Sequence, residues 1–397
     1  MSEIKEIEPN KKDSIVKGAY KKLTTYQAKG FDLRDQSVDL KSWLEGQNEV
    51  EEVSAYGNTD ITVKFKDKTQ VTILLGRDKT YGASANNDRK DFYKDVKSST
   101  DVDDPHPVSK KAAVIDTLRD DWPPASTPDS IFSLLKAAGY SVDYIKSDNA
   151  NLQFFTRFDD NEYGVVFIRS HGGMINVAGD DKLHIMVRPF FSSFPPASGY
   201  NGIGVFTVST NVLPQGFAYA YAFNNLFVQQ YMNNKHFPNS LFHLLVCQSA
   251  NPLAQDDMIK SFLERGVGCY TGWTDTASSA YGDPSAVQFF TVLCESSANP
   301  INRVADAISI ISSAGRSPDP DTGAVLVAHG SDNMQIIAYF MIHENSHITI
   351  HDPSGNLIRK GFHDILDAVE YSTNLIIGGK YSKIQITQSV YLEKRKL

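Results

Sequence analysis

Two residue types suited to carbonyl chemistry occupy matching places in this sequence. Cys247 closes the apolar run Leu241-Phe242-His243-Leu244-Leu245-Val246 and is followed by Gln248-Ser249-Ala250. His171 closes Val165-Val166-Phe167-Ile168-Arg169-Ser170 and is followed by Gly172-Gly173. Near pH 7 only a few per cent of a free thiol is thiolate, and a nearby imidazole can take its proton and later hand it to a leaving amine. A helix expected after Cys247 would add its N-terminal dipole to that activation. Gly172 lacks a side chain, so its amide can approach a substrate carbonyl; with the amide of Cys247 it makes two donors for a developing oxyanion.

The elements around these positions alternate. The segment 112–118 (AAVIDTL) reads as a strand, TPDSIFSLLKAAGY as a helix stopped by Gly139, and 141–145 (SVDYI) as a second strand. Strands then lead into His171 and Cys247, a helix over 256–266 ends at Gly266, and 267–273 (VGCYTGW) is a further strand. Helical spacing resumes in SAVQFFTVLCESSANPINRVADAISII, broken at Pro300. Strands alternating with helices of this length predict an α/β fold with a mostly parallel sheet flanked by helices. Ligands of such sheets sit beyond the carboxyl ends of the strands, where His171 and Cys247 lie.

The flanks differ in pattern. Residues 1–45 are polar and Lys-rich, read as one or two marginal helices or an arm, and 51–75 alternates as a β-hairpin around Lys66-Asp67-Lys68. A polar run from Thr80 to Pro107 puts a boundary near 100–108, giving an N-terminal arm and hairpin unit (1–100) and a main domain (108–330). Within the latter, 174–240 is an insertion with strand-like HIMVRPFF and IGVFTVST and a stretch, FAYAYAFNNLFVQQYM, read as helical. Residues 334–397, with a DPSGN turn at 352–356, read as a second small β-rich unit.

Composition removes several function classes. With 39 Lys+Arg against 47 Asp+Glu, a net charge of -8 and no long basic run, nucleic acid is not an expected partner. The charged N-terminus lacks the apolar core of a signal peptide and no stretch approaches 18 uninterrupted apolar residues, so no membrane association and a cytoplasmic location are expected. Three cysteines, Cys247, Cys269 and Cys294, make neither a disulfide framework nor a CxxC pair; Cys269 and Cys294 read as packing residues. Ser170 and Ser249 lack a G-x-S-x-G elbow and His243 reads as a core histidine. His343, His347 and His351 fall on one face of a strand-like segment, the acidic turns at 159–162 and 179–181 lack EF-hand spacing, and no metal site is assigned.

FIRSHGG followed later by LLVCQSA resembles the caspase, gingipain, clostripain and separase group of cysteine peptidases, over roughly 110–330. The resemblance implies a six-stranded sheet of order 2-1-3-4-5-6, here with small β-rich N- and C-terminal additions, and hydrolysis of peptide bonds through a thioester without a cofactor. It makes His171 the base, Cys247 the nucleophile, the amides of Gly172 and Cys247 the oxyanion hole, and a protein or peptide the partner. Val246 and Ser249 depart from relatives that carry an acidic residue before the cysteine or a glycine two positions after it. GWTDTASSAYGDPSAVQFF (272–290) is similar to the stretch after the fifth strand of separases. In arginine-cleaving members an aspartate there lines the pocket. Asp275 is the best match and Asp283 the second, which implies cleavage after Arg or, less readily, Lys. Asp116 and Asp120 could reach the same cleft, and Arg169 is the obvious cation should the pocket take an acidic side chain instead. The alternative reading is a caspase-like binding or scaffold protein without catalysis; no regulatory partner is indicated.

Overall fold

The computed structural model describes residues 6–29, 33–56, 60–74, 106–120, 126–177, 180–196, 200, 204–213, 216–232, 237, 239–294, 302–336, 347–351, 357–362 and 385–389. Contacts divide the chain into Met1–Ile337 and Ala338–Leu397.

In the first unit, helices α1 (Pro9–Ala28) and α2 (Leu33–Glu45) precede strands β1 (Val50–Tyr56), β2 (Asp60–Phe65) and β3 (Gln70–Leu74). Then come β4 (Lys111–Asp116), α3 (Ser126–Ala137), β5 (Ser141–Lys146), a short turn of helix α4 (Leu152–Phe155) and β6 (Val165–Arg169). The insertion contributes β7 (Gly172–Val177), β8 (Asp180–Phe191), β9 (Val205–Leu213), β10 (Gly216–Phe223) and α5 (Asn225–Tyr231). The unit closes with β11 (Ser240–Leu245), α6 (Lys260–Leu263), β12 (Val267–Trp273), α7 (Ser279–Cys294), α8 (Val304–Ser313) and β13 (Leu326–Gly330).

The central sheet has six strands in the order β13-β12-β11-β6-β4-β5. All neighbours are parallel except β13, which runs antiparallel to β12. Counted within the sheet this is 2-1-3-4-5-6, with crossovers supplied by the helices. Every residue of β6 and β12 is buried, as continuous apolar runs covered on both faces require. Successive side chains of β4 serve different layers: Ala112 and Val114 meet Ile131 and Leu135 of α3 and Phe289 and Phe290 of α7, whereas Ala113 and Ile115 join Ile185, Phe223 and Phe227 of the insertion. The insertion is therefore the second covering layer of the central sheet, and its removal would strip one face of the core.

The hairpin at the N-terminus is present as β2–β3, turning at Lys68, but it is not a separate unit. It lies in a seven-stranded sheet, β1-β2-β3-β9-β10-β8-β7, joined to the insertion by the parallel pair β3–β9. A lone hairpin leaves an open edge and is marginal in water; β9 covers that edge, and α1 and α2 pack Val16, Ala19, Leu40 and Leu44 onto it with Tyr219 from β10. The break expected at 100–108 is thus bridged by strand pairing, and residues 75–105 lie outside the described residues. The helical reading of FAYAYAF is also corrected. Gly216–Phe223 is a strand whose large rings alternate with Ala218, Ala220 and Ala222, a period of two that the aromatic density obscured.

The second unit holds an antiparallel sheet of β14 (His347–His351), β15 (Leu357–Phe362) and β16 (Gln385–Ser389) with β14 in the middle. His343 and the 352–356 turn lie outside the described residues, and among the described residues no cluster of metal-ligating side chains occurs. No described helix is long and apolar enough to cross a membrane.

Candidate active site

Strand register brings His171 and Cys247 to the same level. Leu245 at the end of β11 is the partner of Arg169 at the end of β6, and the Ser170 amide still donates to the Leu245 carbonyl at 3.3 Å. His171 and Cys247 each lie two residues beyond that rung, on strands spaced by about 4.8 Å. Both line one cavity of about 510 Å³ at the carboxyl end of the sheet.

The cysteine is presented by a turn, not by a helix. Gln248 adopts φ 59°, and the chain folds back so that the amides of Gln248 and Ala250 donate to the carbonyls of Asp275 and Trp273, both at 2.9 Å. Residues 247–250 form turns, and the first helical segment, Pro252–Ala254, is a single 3-10 turn. Helical turns continue through Gln255–Ile259 and Lys260–Leu263, so the helix expected after the cysteine is present but begins five residues past the thiol rather than at it. The half-buried Cys247 Sγ instead donates weakly to the Ala277 carbonyl at 4.0 Å.

His171 leaves β6 directly, and its carbonyl accepts from Met186 in β8 at 2.9 Å. Burial, with the Arg169 charge beneath it, pushes its imidazole down to about 4, so the ring is neutral at neutral pH and able to accept a proton. The same hydrogen bond orients Gly172. In the antiparallel ladder Gly172 opposes Ile185, and the Met186-to-His171 bond makes this the widely spaced pair, so the Gly172 N–H points away from β8. Because β7 is the edge strand, that N–H faces the same side as the Met174 N–H, which donates to Gln248 Oε1 at 2.7 Å. A Cβ at Gly172 would collide with Val246 and the His184 carbonyl, so the strand can approach the cysteine loop only without one.

Beneath His171 and Cys247 lies an ionic cluster. Arg169 in β6 forks onto Asp283 of α7, Nε to Oδ1 at 2.9 Å and Nη2 to Oδ2 at 3.2 Å, and its Nη1 reaches Asp116 Oδ1 on the neighbouring strand at 3.4 Å. All three are buried. Burial drives the Asp116 carboxyl above the usual range against the pull of Arg169. These three residues, expected as separate substrate contacts, are thus one another's partners. Asp275, the expected pocket aspartate, is not in the cavity wall. Its Oδ1 accepts from the Thr276 amide at 2.7 Å and its carbonyl from Gln248, so it staples the loop that holds the cysteine. Asp120 lies 3.5 Å from Arg188.

The rival nucleophiles are committed elsewhere. The buried Ser249 hydroxyl accepts from the Trp273 amide at 3.0 Å, and the Ser170 hydroxyl donates to the Met186 carbonyl at 2.6 Å. His243 bonds Thr271 at 2.8 Å and stacks on Phe289, a core histidine as read.

No family model matches this sequence, and no curated protein matches it. Among solved structures, the chain is similar to the complex of the pro- and mature domains of Porphyromonas gingivalis RgpB, at 12% identity and a TM-score of 0.37, over 64% of this chain and 61% of that one. It is also similar to the Arg-specific cysteine proteinase gingipain R (RgpB), at 12% identity and a TM-score of 0.38, over 64% of this chain and 58% of that one. The chain spans about three fifths of the length of the chains it matches. The strand order, 2-1-3-4-5-6, is the one the resemblance noted from the sequence implies.

Several lining residues escaped the sequence reading. Gln248, Met174 and the 276–279 loop reach the cavity from segments whose only signal was proximity to Cys247, His171 or Asp275, and His184 comes from β8 with no such signal. The Ser278 amide and hydroxyl both bond the buried Asp319 carboxylate, at 2.7 and 2.9 Å, which fixes that loop from a distant part of the chain.

Proposed function

We propose that the chain is a cysteine peptidase that hydrolyses protein or peptide substrates through a Cys247–His171 dyad. The observation that carries this reading is the shared rung: thiol, neutral imidazole and the outward amide of Gly172 all border one cavity. His171 takes the proton as Cys247 Sγ attacks the scissile carbonyl, and the amides of Gly172 and Cys247 receive the oxyanion. The imidazolium then protonates the leaving amine, and a thioester remains on Cys247. Water, deprotonated by the same imidazole, attacks the thioester and frees the acid and the thiol. A preference for Arg or Lys is not carried forward, because Asp275 and Asp283 both serve the protein's own groups.

One observation favours the alternative of a non-catalytic binding protein: a neutral His171 gives the resting thiol no counter-charge. The discriminating experiment is cleavage of a fluorogenic peptide library with trapping of the acyl-enzyme by mass spectrometry. A covalent adduct on Cys247 that disappears in Cys247→Ala and His171→Ala supports the peptidase. Absence of turnover and of adduct across the library overturns it.

A further inference from the structure

We propose that the cavity beside Cys247 selects peptides whose scissile residue carries an uncharged, apolar side chain. This deepens the peptidase reading and rests on it for the identity of the scissile bond. A volume of about 510 Å³ admits a large side chain together with the peptide backbone beside the dyad. Around the dyad the wall is formed by Leu118, Met174, Met186, Leu245 and Ala277. The methionines are unbranched and adaptable, suiting leucyl, methionyl or phenylalanyl groups more than one fixed shape.

The charged groups settle the choice between classes. Among the described residues the ions of the wall are Arg169 and Asp283, and they face each other in a two-pronged pair with both carboxylate oxygens engaged. An arginine side chain reaching Asp283 must compete with Arg169 for it and break a buried two-pronged ion pair. An aspartate side chain meets Arg169 only by competing with Asp283, and then sits beside a carboxylate of its own sign. Either entry disrupts a buried, geometrically matched pair, whereas an apolar side chain leaves it intact. His184, the second histidine of the wall, is held through Nδ1 at 2.9 Å from the Lys182 carbonyl and adds no cation to attract an acid.

The test uses the full chain and tetrapeptides Ac-Ala-Ala-Ala-X with an aminomethylcoumarin leaving group, X being Leu, Met, Phe, Arg, Lys or Asp. Leu, Met and Phe are expected to exceed the three charged residues by about a hundredfold in kcat/KM. Equal or greater rates for Arg, Lys or Asp overturn the proposal. A second measurement separates it from the peptidase reading: calorimetric binding of the matching Ac-Ala-Ala-Ala-X amides to Cys247→Ala. Tighter binding of the apolar series with no turnover by the wild type leaves the selectivity standing and removes the peptidase. Binding of none, or tighter binding of a charged member, overturns the selectivity. Ala277→Asp, on the loop facing the thiol, should raise Arg cleavage at least tenfold, and no change there also counts against the pocket as drawn.

Discussion

Arg169 is the most consequential buried charge beneath the site, and Arg169→Met tests it. The side chain is 2% exposed, Asp283 4% and Asp116 0%, and Arg169 supplies both oxygens of Asp283 with a donor. Methionine keeps most of the stem volume but removes the cation, so Asp283 loses a bidentate partner and Asp116 is left with the Leu118 amide. Removing one member of a buried ion pair costs about 3–5 kcal/mol. The Asp116 carboxyl, already raised by burial, loses the pull of Arg169 that lowers it and so holds its proton more tightly when folded than when unfolded. A group raised in this way stabilises the fold below its unfolded value and loses that contribution as pH rises through the folded one. The deficit should therefore be about 3–5 kcal/mol at pH 7.5 and visibly smaller at pH 5, measured by urea unfolding at both values. Adding Asp283→Asn should restore part of the loss. A deficit under about 1 kcal/mol at pH 7.5, or one that does not shrink at pH 5, refutes the idea that this pair is desolvated and mutually dependent.

Other outcomes follow from the same geometry. Iodoacetamide should modify Cys247 first, because Cys269 is buried with its thiol pushed up and Cys294 is pushed up to about 12; peptide mapping after a brief exposure checks this. Gly172→Ala should lower stability by about 1–3 kcal/mol and kcat/KM by a hundredfold or more, since the added methyl forces β7 away from Val246; unfolding and steady-state rates measure both. Gln248→Ala frees the Met174 amide and loosens the edge strand that carries Gly172, so kcat should fall about tenfold with KM little changed; a change confined to KM would argue against a positioning role. His171, His184 and His329 are held down to about 4 and His243 to about 3, against 6.5 for the free side chain. Depressed values mean that the unfolded chain binds more protons, so stability is lost as pH falls from about 6.5 toward 4, by about 1 kcal/mol per histidine at pH 5.5. A flat urea midpoint from pH 7 to 5 would contradict this.

What the sequence revealed of the site was its position along the strands. Val165 to Ile168 is an unbroken apolar run and Leu241 to Leu245 an apolar run interrupted by His243, which is how strands covered on both faces read, and the residues just past them fall at one end of a parallel sheet. Long-range pairing was not legible. Nothing in Gln70–Leu74 announces a partner in β9, because strand alternation fixes which face is buried but not which strand lies alongside. The partners of the aspartates were not legible for a related reason. A motif position says that Asp275 and Asp283 follow the fifth strand, yet Asp283 sits one helical turn into α7, within reach of Arg169, while Asp275 turns back onto its own loop. The partner that neutralises a charge is a fact of packing, and Arg169 lies far from both in the sequence.

The ionic cluster and the dyad bear on each other. Arg169 helps hold His171 neutral, so the resting imidazole is ready to accept a proton but does not stabilise a preformed thiolate. On the proposed mechanism, proton transfer would then accompany attack, when the negative charge passes from sulfur to the carbonyl oxygen and meets the Gly172 amide instead of a cation. That arrangement places the burden of activation on donor geometry, and Gln248 is the residue that secures it, tying the cysteine turn to Asp275 through its amide and to Met174 through its side chain. A substrate side chain that disturbed Arg169 would change the charge under His171 as well as pay for its own desolvation. Substrate choice and base strength are thereby coupled through one guanidinium, and variants of Arg169 should alter both together.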